Sequence, residues 1–159
     1  MSTLEVKGIQ APAGYKLAMP AGHILQTVSV TNSSQETTTN ASSFVAHSGL
    51  VASITPSSTS SKIFVTTSFS YGTPAGTNNF NATIYRGSTN LGHATAGFGT
   101  MFSGSSYVHG HTSLQILDSP STTSSTTYQL YFKSTSTGRI NNDGSTGSIT
   151  LMEIAGWLI

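Results

Sequence analysis

The chain has 159 residues and a formal net charge of +1, and its 36% of hydrophobic residues can supply one packed core but little more. Only 7% of the residues are charged, against about 25% in a typical soluble domain, while Ser and Thr contribute roughly a third of the chain. Disorder is excluded because apolar runs recur throughout a chain of almost no net charge. The absence of cysteine excludes disulfides, thiolate metal sites and thiol nucleophiles.

Residues 1–22 are predicted to form an extended attachment arm. Pro12, Gly14, Pro20 and Gly22 interrupt two short apolar pieces, a pattern that favours an extended segment over a packed element. A disordered leader is the alternative, because chain ends are often loose. The first ten residues lack the order of a signal peptide, and no run of about 18 apolar residues occurs, so neither conventional secretion nor membrane insertion is expected.

The remaining residues, 23–159, are predicted to form one all-β head. Strand-length apolar or alternating runs occupy 23–31, 43–48, 50–56, 62–71, 80–87, 112–119, 126–134 and 148–159, with a Gly-rich stretch at 91–104. Clusters of Ser, Thr, Gly, Asn and Pro separate the runs, and Asp143-Gly144 signals a tight turn. About eight antiparallel strands with this spacing predict a jelly-roll sandwich.

Alternation along three of these runs predicts which side chains form the core. The apolar faces are Ile63, Val65, Phe69 and Tyr71 in one run, Phe80, Ala82 and Ile84 in the next, and Tyr128, Leu130 and Phe132 in a third. The residues between them are mostly Thr, Ser, Asn and Gln, as expected when one face of an antiparallel sheet stays wet.

The last run is apolar on both faces. One face holds Ile149, Leu151, Ala155, Trp157 and Ile159, and the other holds Met152, Ile154 and Leu158. Burial of both faces is expected if the strand is central in its sheet and also faces a neighbouring subunit at an oligomer axis. The predicted trimer interface is Leu151, Ile154, Trp157, Leu158 and Ile159. An ordinary central strand within a monomer is the alternative.

Catalytic equipment is sparse, so the chain is not expected to be an enzyme. The carboxylates are Glu5, Glu36, Asp118, Asp143 and Glu153, and they offer no defensible acid-base pair. Asp118 opens a Ser-Pro turn, where it is expected to cap local backbone. No G-x-S-x-G elbow, phosphate-binding glycine pattern or basic patch appears, so neither nucleotide nor nucleic-acid binding is expected.

The sequence His109-Gly110-His111 is the one constellation that suggests metal binding. Residues i and i+2 of a strand project from the same face. If a threefold axis ran beside this segment, six imidazoles would converge, which suits an octahedral transition metal. The plain alternative is two loop histidines beside a flexible glycine, with no cofactor.

The loops also offer residue types that recognise sugars or protein epitopes. The candidate receptor-binding residues are Asn78, Asn79, Phe80, Tyr107, His109 and His111. The same types also satisfy turn geometry and strand packing, so only some of these residues are expected to contact a ligand.

Several segments resemble small tailed-bacteriophage fibre proteins. They are STLEVKGIQAPAG, PAGHILQ, SSKIFV, ATIYRGSTNLG, LQILDSPSTTSSTTYQLYF and ITLMEIAG, and they span nearly the whole chain. The resemblance implies a trimeric jelly-roll head similar to the tumour-necrosis-factor and complement globular-head folds. It also implies a location in the virion, docking of residues 1–22 to another virion protein, and recognition of a host-surface glycan or protein by the head.

Phage fibre tips use His-x-His pairs for metal on their threefold axis, and residues 109–111 match that pattern. The long needle that carries such pairs is not evident in this sequence. Three functions stay open: a receptor-binding tail fibre or fibre tip, a capsid decoration or head-fibre protein, and a polysaccharide-degrading tailspike component. The last is least favoured because it needs an acidic pair.

Overall fold

A computed structural model describes residues 20–156 of the chain, and these residues form eleven β-strands and one short 3-10 turn. The strands are β1 (Ile24–Asn32), β2 (Glu36–Thr38), β3 (Val45–Ile54), β4 (Lys62–Thr73), β5 (Asn78–Arg86), β6 (Thr89–Asn90), β7 (Gly99–Ser103), β8 (Val108–Asp118), β9 (Thr126–Ser134), β10 (Gly138–Ile140) and β11 (Gly147–Ile154), and the turn is Asn142–Gly144. Within this part of the chain, no helix has the length and hydropathy needed to cross a membrane.

The strands form two antiparallel sheets. In the first sheet the long strands lie in the order β8-β4-β11-β1. Beyond the end of β11, the short strand β10 pairs with the last part of β4, and β2 pairs with the other edge of β10. The second sheet has the order β3-β9-β5, with β7 and β6 pairing with β5. The eight strands of five or more residues thus have the order of a jelly roll, so the predicted fold class is confirmed.

The two ends of the sandwich differ in what they carry. At one end, called the arm end, the chain joins β1, and the Gly22 amide donates to the Ala155 carbonyl at 2.9 Å just beyond β11. At the opposite end, called the remote end, β4 ends at Thr73 and β8 begins at Val108. Residues 1–19 of the predicted arm lie outside the described residues.

The three predicted apolar faces meet between the sheets, so the predicted core is confirmed. Nine of the ten predicted side chains are at most 1% exposed, and the tenth, Tyr71, packs against the core and stacks on Phe80 with 5.5 Å between the ring centroids. Phe80 in turn lies 6.0 Å from Phe132, both in the second sheet. Aromatic rings therefore connect the first sheet to the second.

The structure differs from the sequence prediction where segments are short or irregular. The runs 43–48 and 50–56 form one strand, β3, whose register shifts between Ala46 and Val51. Strands β2, β6 and β10 were not predicted because two or three residues are too few to show a period. The predicted tight turn is present, with left-handed backbone at Asp143 (φ 56) and Gly144 (φ 76).

The last strand, β11, is central in the first sheet, between β1 and β4. Leu151 points into the core and is 0% exposed, so the prediction that it contacts a neighbouring subunit is wrong. Ile154 points outward and is half-buried. Trp157, Leu158 and Ile159 lie outside the described residues, so their predicted role stays a prediction.

Glu153 lies on the inward face of β11 and is also 0% exposed. One carboxylate oxygen accepts hydrogen bonds from the Ser57 amide at 2.7 Å and from the Ser57 and Ser61 hydroxyls at 2.6 and 2.7 Å, and the other accepts from Gln26 Nε2 at 2.6 Å. Burial opposes ionisation, but these hydrogen bonds outweigh it and lower the pKa of Glu153. The carboxylate thereby fastens the loop between β3 and β4 to the arm end of the first sheet.

We expect Glu153→Gln to reduce the free energy of unfolding by about 2 kcal/mol at neutral pH, because a buried polar group loses charge-assisted partners. Because the pKa of Glu153 is lowered in the folded chain, the unfolded chain binds this proton at a higher pH than the folded chain does. The difference in the free energy of unfolding between wild type and Glu153→Gln should therefore shrink as the pH falls below 4.5. Urea denaturation at several pH values measures both effects. Asp143→Asn, at a side chain that is 75% exposed, is the control; an equal loss in both variants would contradict the prediction.

Candidate functional surfaces

The outward face of the four long strands of the first sheet carries no charged side chain over three successive rows. Direct cross-strand pairing places partners on the same face, so the register defines the rows. These twelve residues, called the uncharged face, are Thr27, Met152, Phe64 and Leu117; Ser29, Thr150, Thr66 and Gln115; and Thr31, Ser148, Ser68 and Ser113.

The uncharged face is apolar near the arm end and hydroxyl-rich above it. Leu117 is 56% exposed, and the neighbouring Ile24 and Leu25 of β1 are 57% and 37% exposed. In the next row, the hydroxyls of Ser29 and Thr150 lie 2.8 Å apart and hydrogen-bond each other. The face therefore offers accessible apolar surface together with hydroxyls that already have partners.

His109 and His111 lie in strand β8 and not in a loop as one alternative assumed, and both point outward on the first sheet. Gly110 between them is required by packing, because a Cβ there would meet the Tyr71 hydroxyl at 2.8 Å. His111 Nε2 lies 3.2 Å from the Ser68 hydroxyl. Among the described residues of one chain, no three His, Cys, Asp or Glu side chains are placed to hold a metal.

A second outward surface, called the remote cluster, lies above the uncharged face. It consists of Tyr107, His109, Arg139, Asn142 and Asp143. Arg139 and His109 both pair with Gly72, from opposite sides. A Cβ on Gly72 would meet the Tyr107 hydroxyl at 2.7 Å, so the tyrosine lies over this glycine.

Hydrogen bonds connect three members of the remote cluster. Asn142 Nδ2 donates to the Tyr107 hydroxyl at 2.9 Å and to Asp143 Oδ2 at 2.8 Å. The same Asp143 oxygen lies 3.7 Å from His109 Nδ1, and the His109 ring meets the Tyr107 ring edge-on with 6.4 Å between centroids. The cluster thus combines a ring, an imidazole, a carboxylate and a guanidinium.

The predicted receptor-binding residues do not form one surface. Phe80 is 0% exposed in the core, and Asn78 is 8% exposed with Nδ2 donating to the Pro74 carbonyl, so neither is available to a receptor and both predictions are wrong. Asn79 and Tyr107 are exposed at the remote end. Sequence reasoning missed Phe102, which pairs with Asn79 and is 61% exposed, because its Gly-rich surroundings gave no strand pattern.

Asp118 does not cap its local turn as predicted. It bridges the sheets: its two oxygens accept from Arg86 Nη1 at 2.9 and 2.8 Å, and Oδ2 also accepts from the Tyr128 hydroxyl at 2.7 Å. Burial, and the hydrogen bond to this carboxylate, raise the pKa of Tyr128 well above its usual range. A carboxylate held in this way supports the structure and is not free to act as a general base.

No protein-family model and no curated protein matches the sequence. Among solved structures, the chain is similar to infectious bursal disease virus Gx strain, with 11% identity, a TM-score of 0.43, and coverage of 95% of this chain and 43% of that chain. It is also similar to a mutant VP2 protein of infectious bursal disease virus from derived T=1 particles, with 11% identity, a TM-score of 0.44, and coverage of 95% and 41%. The chain spans about two fifths of the length of these proteins.

His47 is a buried titratable group that the sequence did not single out. It is 0% exposed on β3, and its Nδ1 accepts hydrogen bonds from the amides of Gly49 and Leu50 at 3.2 and 3.1 Å. Nε2 therefore carries the proton, and it has no partner among the described residues. Burial lowers the pKa of His47, although the Glu36 carboxylate 3.6 Å away acts in the opposite direction.

Acid is therefore expected to destabilise the head through His47. As the pH falls through 6.5, the unfolded chain binds a proton that the folded chain does not, so the free energy of unfolding decreases. His47→Asn should keep the fold, because its side-chain oxygen can accept the same two amides, and should flatten this pH dependence. Urea denaturation between pH 8 and 5 tests this, with the exposed His111→Asn as control; an unchanged slope in His47→Asn would contradict the assignment.

Proposed function

We propose that this chain is a structural virion protein, a tail fibre or fibre-tip component, whose trimeric jelly-roll head binds a host-surface receptor. The uncharged face is the observation that carries the proposal. Charged residues are depleted in the centres of protein interfaces, and apolar side chains that remain exposed together mark interaction sites. The proposed role is assembly and binding and not catalysis.

The uncharged face fits contact with further copies of the chain. Leu117 and Ile24 are more than half exposed in a head whose other large apolar residues are mostly buried. Ile154, one of the predicted interface residues, borders the same face and pairs with Ile24. The proposed number of three subunits comes from the resemblance to phage fibres. Closed cyclic assembly through one such face is common in homo-oligomers.

What lies at the arm end and at the remote end of the sandwich supports an attachment role. The chain joins the head at Gly22, at the arm end, whereas the exposed Asn79 and Tyr107 lie at the remote end. Docking of residues 1–22 to another virion protein would direct the remote end away from the particle. In such a trimer, His109 and His111 of three copies would face the axis, and transition-metal binding there is part of the same proposal.

We expect the wild-type protein to sediment as a trimer of the 16.5 kDa chain and to resist mild denaturation. Thr150→Arg should dissociate it, because this substitution places a charge at the centre of the uncharged face. Sedimentation velocity at several concentrations measures the change.

Thr127→Arg is the matched control for this experiment. Thr127 is half-buried on β9, the central strand of the second sheet, and its hydroxyl lies 2.8 Å from that of Ser53, just as Thr150 pairs with Ser29. A wild-type monomer, or dissociation by Thr127→Arg with no effect of Thr150→Arg, would overturn the proposed assembly.

Removal of residues 1–20 should leave the head folded and trimeric but unable to join virions, because the strands that build the two sheets begin at Ile24. Incorporation is measured by immunoblotting of purified particles, and immunogold labelling shows whether the full-length chain lies on the tail or on the capsid. A truncated trimer that still joins particles would show that these residues are not the attachment arm.

A further inference from the structure

The outward surface of the first sheet changes in chemistry where its strands change. The uncharged face lies on β8, β4, β11 and β1. The remote cluster lies nearer the remote end, where β4 pairs with β10 instead of β11 and β10 pairs with β2. Arg139, His109 and Asp143 all belong to this upper part. A surface of mixed charge next to an uncharged one is suited to a polar ligand more than to packing against another subunit.

Arg139 differs from the other charged side chains of residues 20–156. Each of the others has a partner: Lys62 donates to Ser119, Arg86 pairs with Asp118, Lys133 lies over the Phe44 ring, Glu36 accepts from Ser48, Asp143 accepts from Asn142, and Glu153 accepts from Ser57. Arg139 makes no side-chain hydrogen bond, ion pair or ring contact with any described residue. Its five donors are available to a ligand.

Tyr107 supplies a fixed ring on the same outward surface as Arg139. Its hydroxyl is held by Asn142 and lies over Gly72, and its side chain is nevertheless 47% exposed. A ring that is already fixed loses little conformational entropy when a ligand stacks on it. Because Gly72 pairs directly with Arg139, the Tyr107 hydroxyl over Gly72 lies in the same row of the sheet as Arg139.

Arg139 lies on the strand next to Gly72, the glycine that the Tyr107 hydroxyl covers. Arg139 and His109 flank Gly72 on neighbouring strands, so their Cα atoms lie about 10 Å apart at the usual strand spacing. A guanidinium binds a carboxylate through two parallel hydrogen bonds. On the other side, Asp143 Oδ1, which accepts no hydrogen bond from the described residues, can accept hydrogen bonds from sugar hydroxyls.

We infer that the remote cluster binds a sugar that bears a carboxylate, with the carboxylate on Arg139 and the ring of the sugar on Tyr107. This inference rests on the proposed receptor-binding function and gives its ligand a chemical class. Uronic acids and sialic acids share this chemistry, so both sources are tested. A neutral glycan would leave the guanidinium without a partner.

Saturation-transfer NMR with the intact protein tests the inference, with trigalacturonic acid and sialyllactose as probes. The methyl ester of trigalacturonic acid and lactose are the neutral controls. We expect at least one acidic probe to bind, and Arg139→Gln to weaken that binding at least tenfold. Lys62→Gln, which removes a charge from the same sheet at the arm end, should leave the binding unchanged.

Equal binding of the acidic and neutral probes, or unchanged binding by Arg139→Gln, would overturn the inference. Dissociation of the trimer by Arg139→Gln in sedimentation would also overturn it, by assigning Arg139 to contact with a second copy. If neither acidic probe binds while the protein still adsorbs to host cells, the acidic-sugar assignment fails and receptor binding stands. If the protein does not adsorb to host cells at all, the proposed function fails.

Discussion

Packing between the two sheets positions every other feature of this head. Tyr71 of the first sheet stacks on Phe80 of the second, which lies beside Phe132, and Phe69 of the first sheet belongs to the same buried core. Three of these four side chains are at most 1% exposed. Burial of a large apolar side chain contributes about 1.5–3 kcal/mol, so this layer is the main source of stability in a chain with few charges. The outward faces are then determined by the alternation of the same strands.

Polar groups secure the loops where the apolar layer ends. Glu153 fastens the loop between β3 and β4, Asp118 connects the sheets through Arg86, and His47 organises the irregular part of β3. Each is buried or nearly so and accepts several hydrogen bonds; Glu153 and Asp118 have partners on both carboxylate oxygens, because an unpaired charge in such a place would be costly, whereas His47 accepts only at Nδ1. Glu153 and His47 also make the free energy of unfolding depend on pH, Glu153 below pH 4.5 and His47 below pH 6.5.

The outward surface of the first sheet divides into two parts of different chemistry. The uncharged face resembles the centre of a protein interface, whereas the remote cluster presents charges, a ring and an imidazole. This division connects the two halves of the proposed function. In the proposed function, assembly would use the rows that lack charge, and ligand binding would use the rows beyond the ends of β1 and β11, on the side away from the arm.

The sequence by itself determined the fold class and the core, because alternation over eight or more residues records which face of a strand is buried. The pairs Ile63 with Val65 and Tyr128 with Leu130 were found in this way. Tertiary structure decided the sites. Asp118 contacts Arg86, 32 residues away, and Arg139 lies in one row with His109, 30 positions earlier, only because β4 pairs with both β8 and β10. Such neighbours come from sheet register, which a single sequence does not record when the strands are two or three residues long or when a glycine interrupts their pattern.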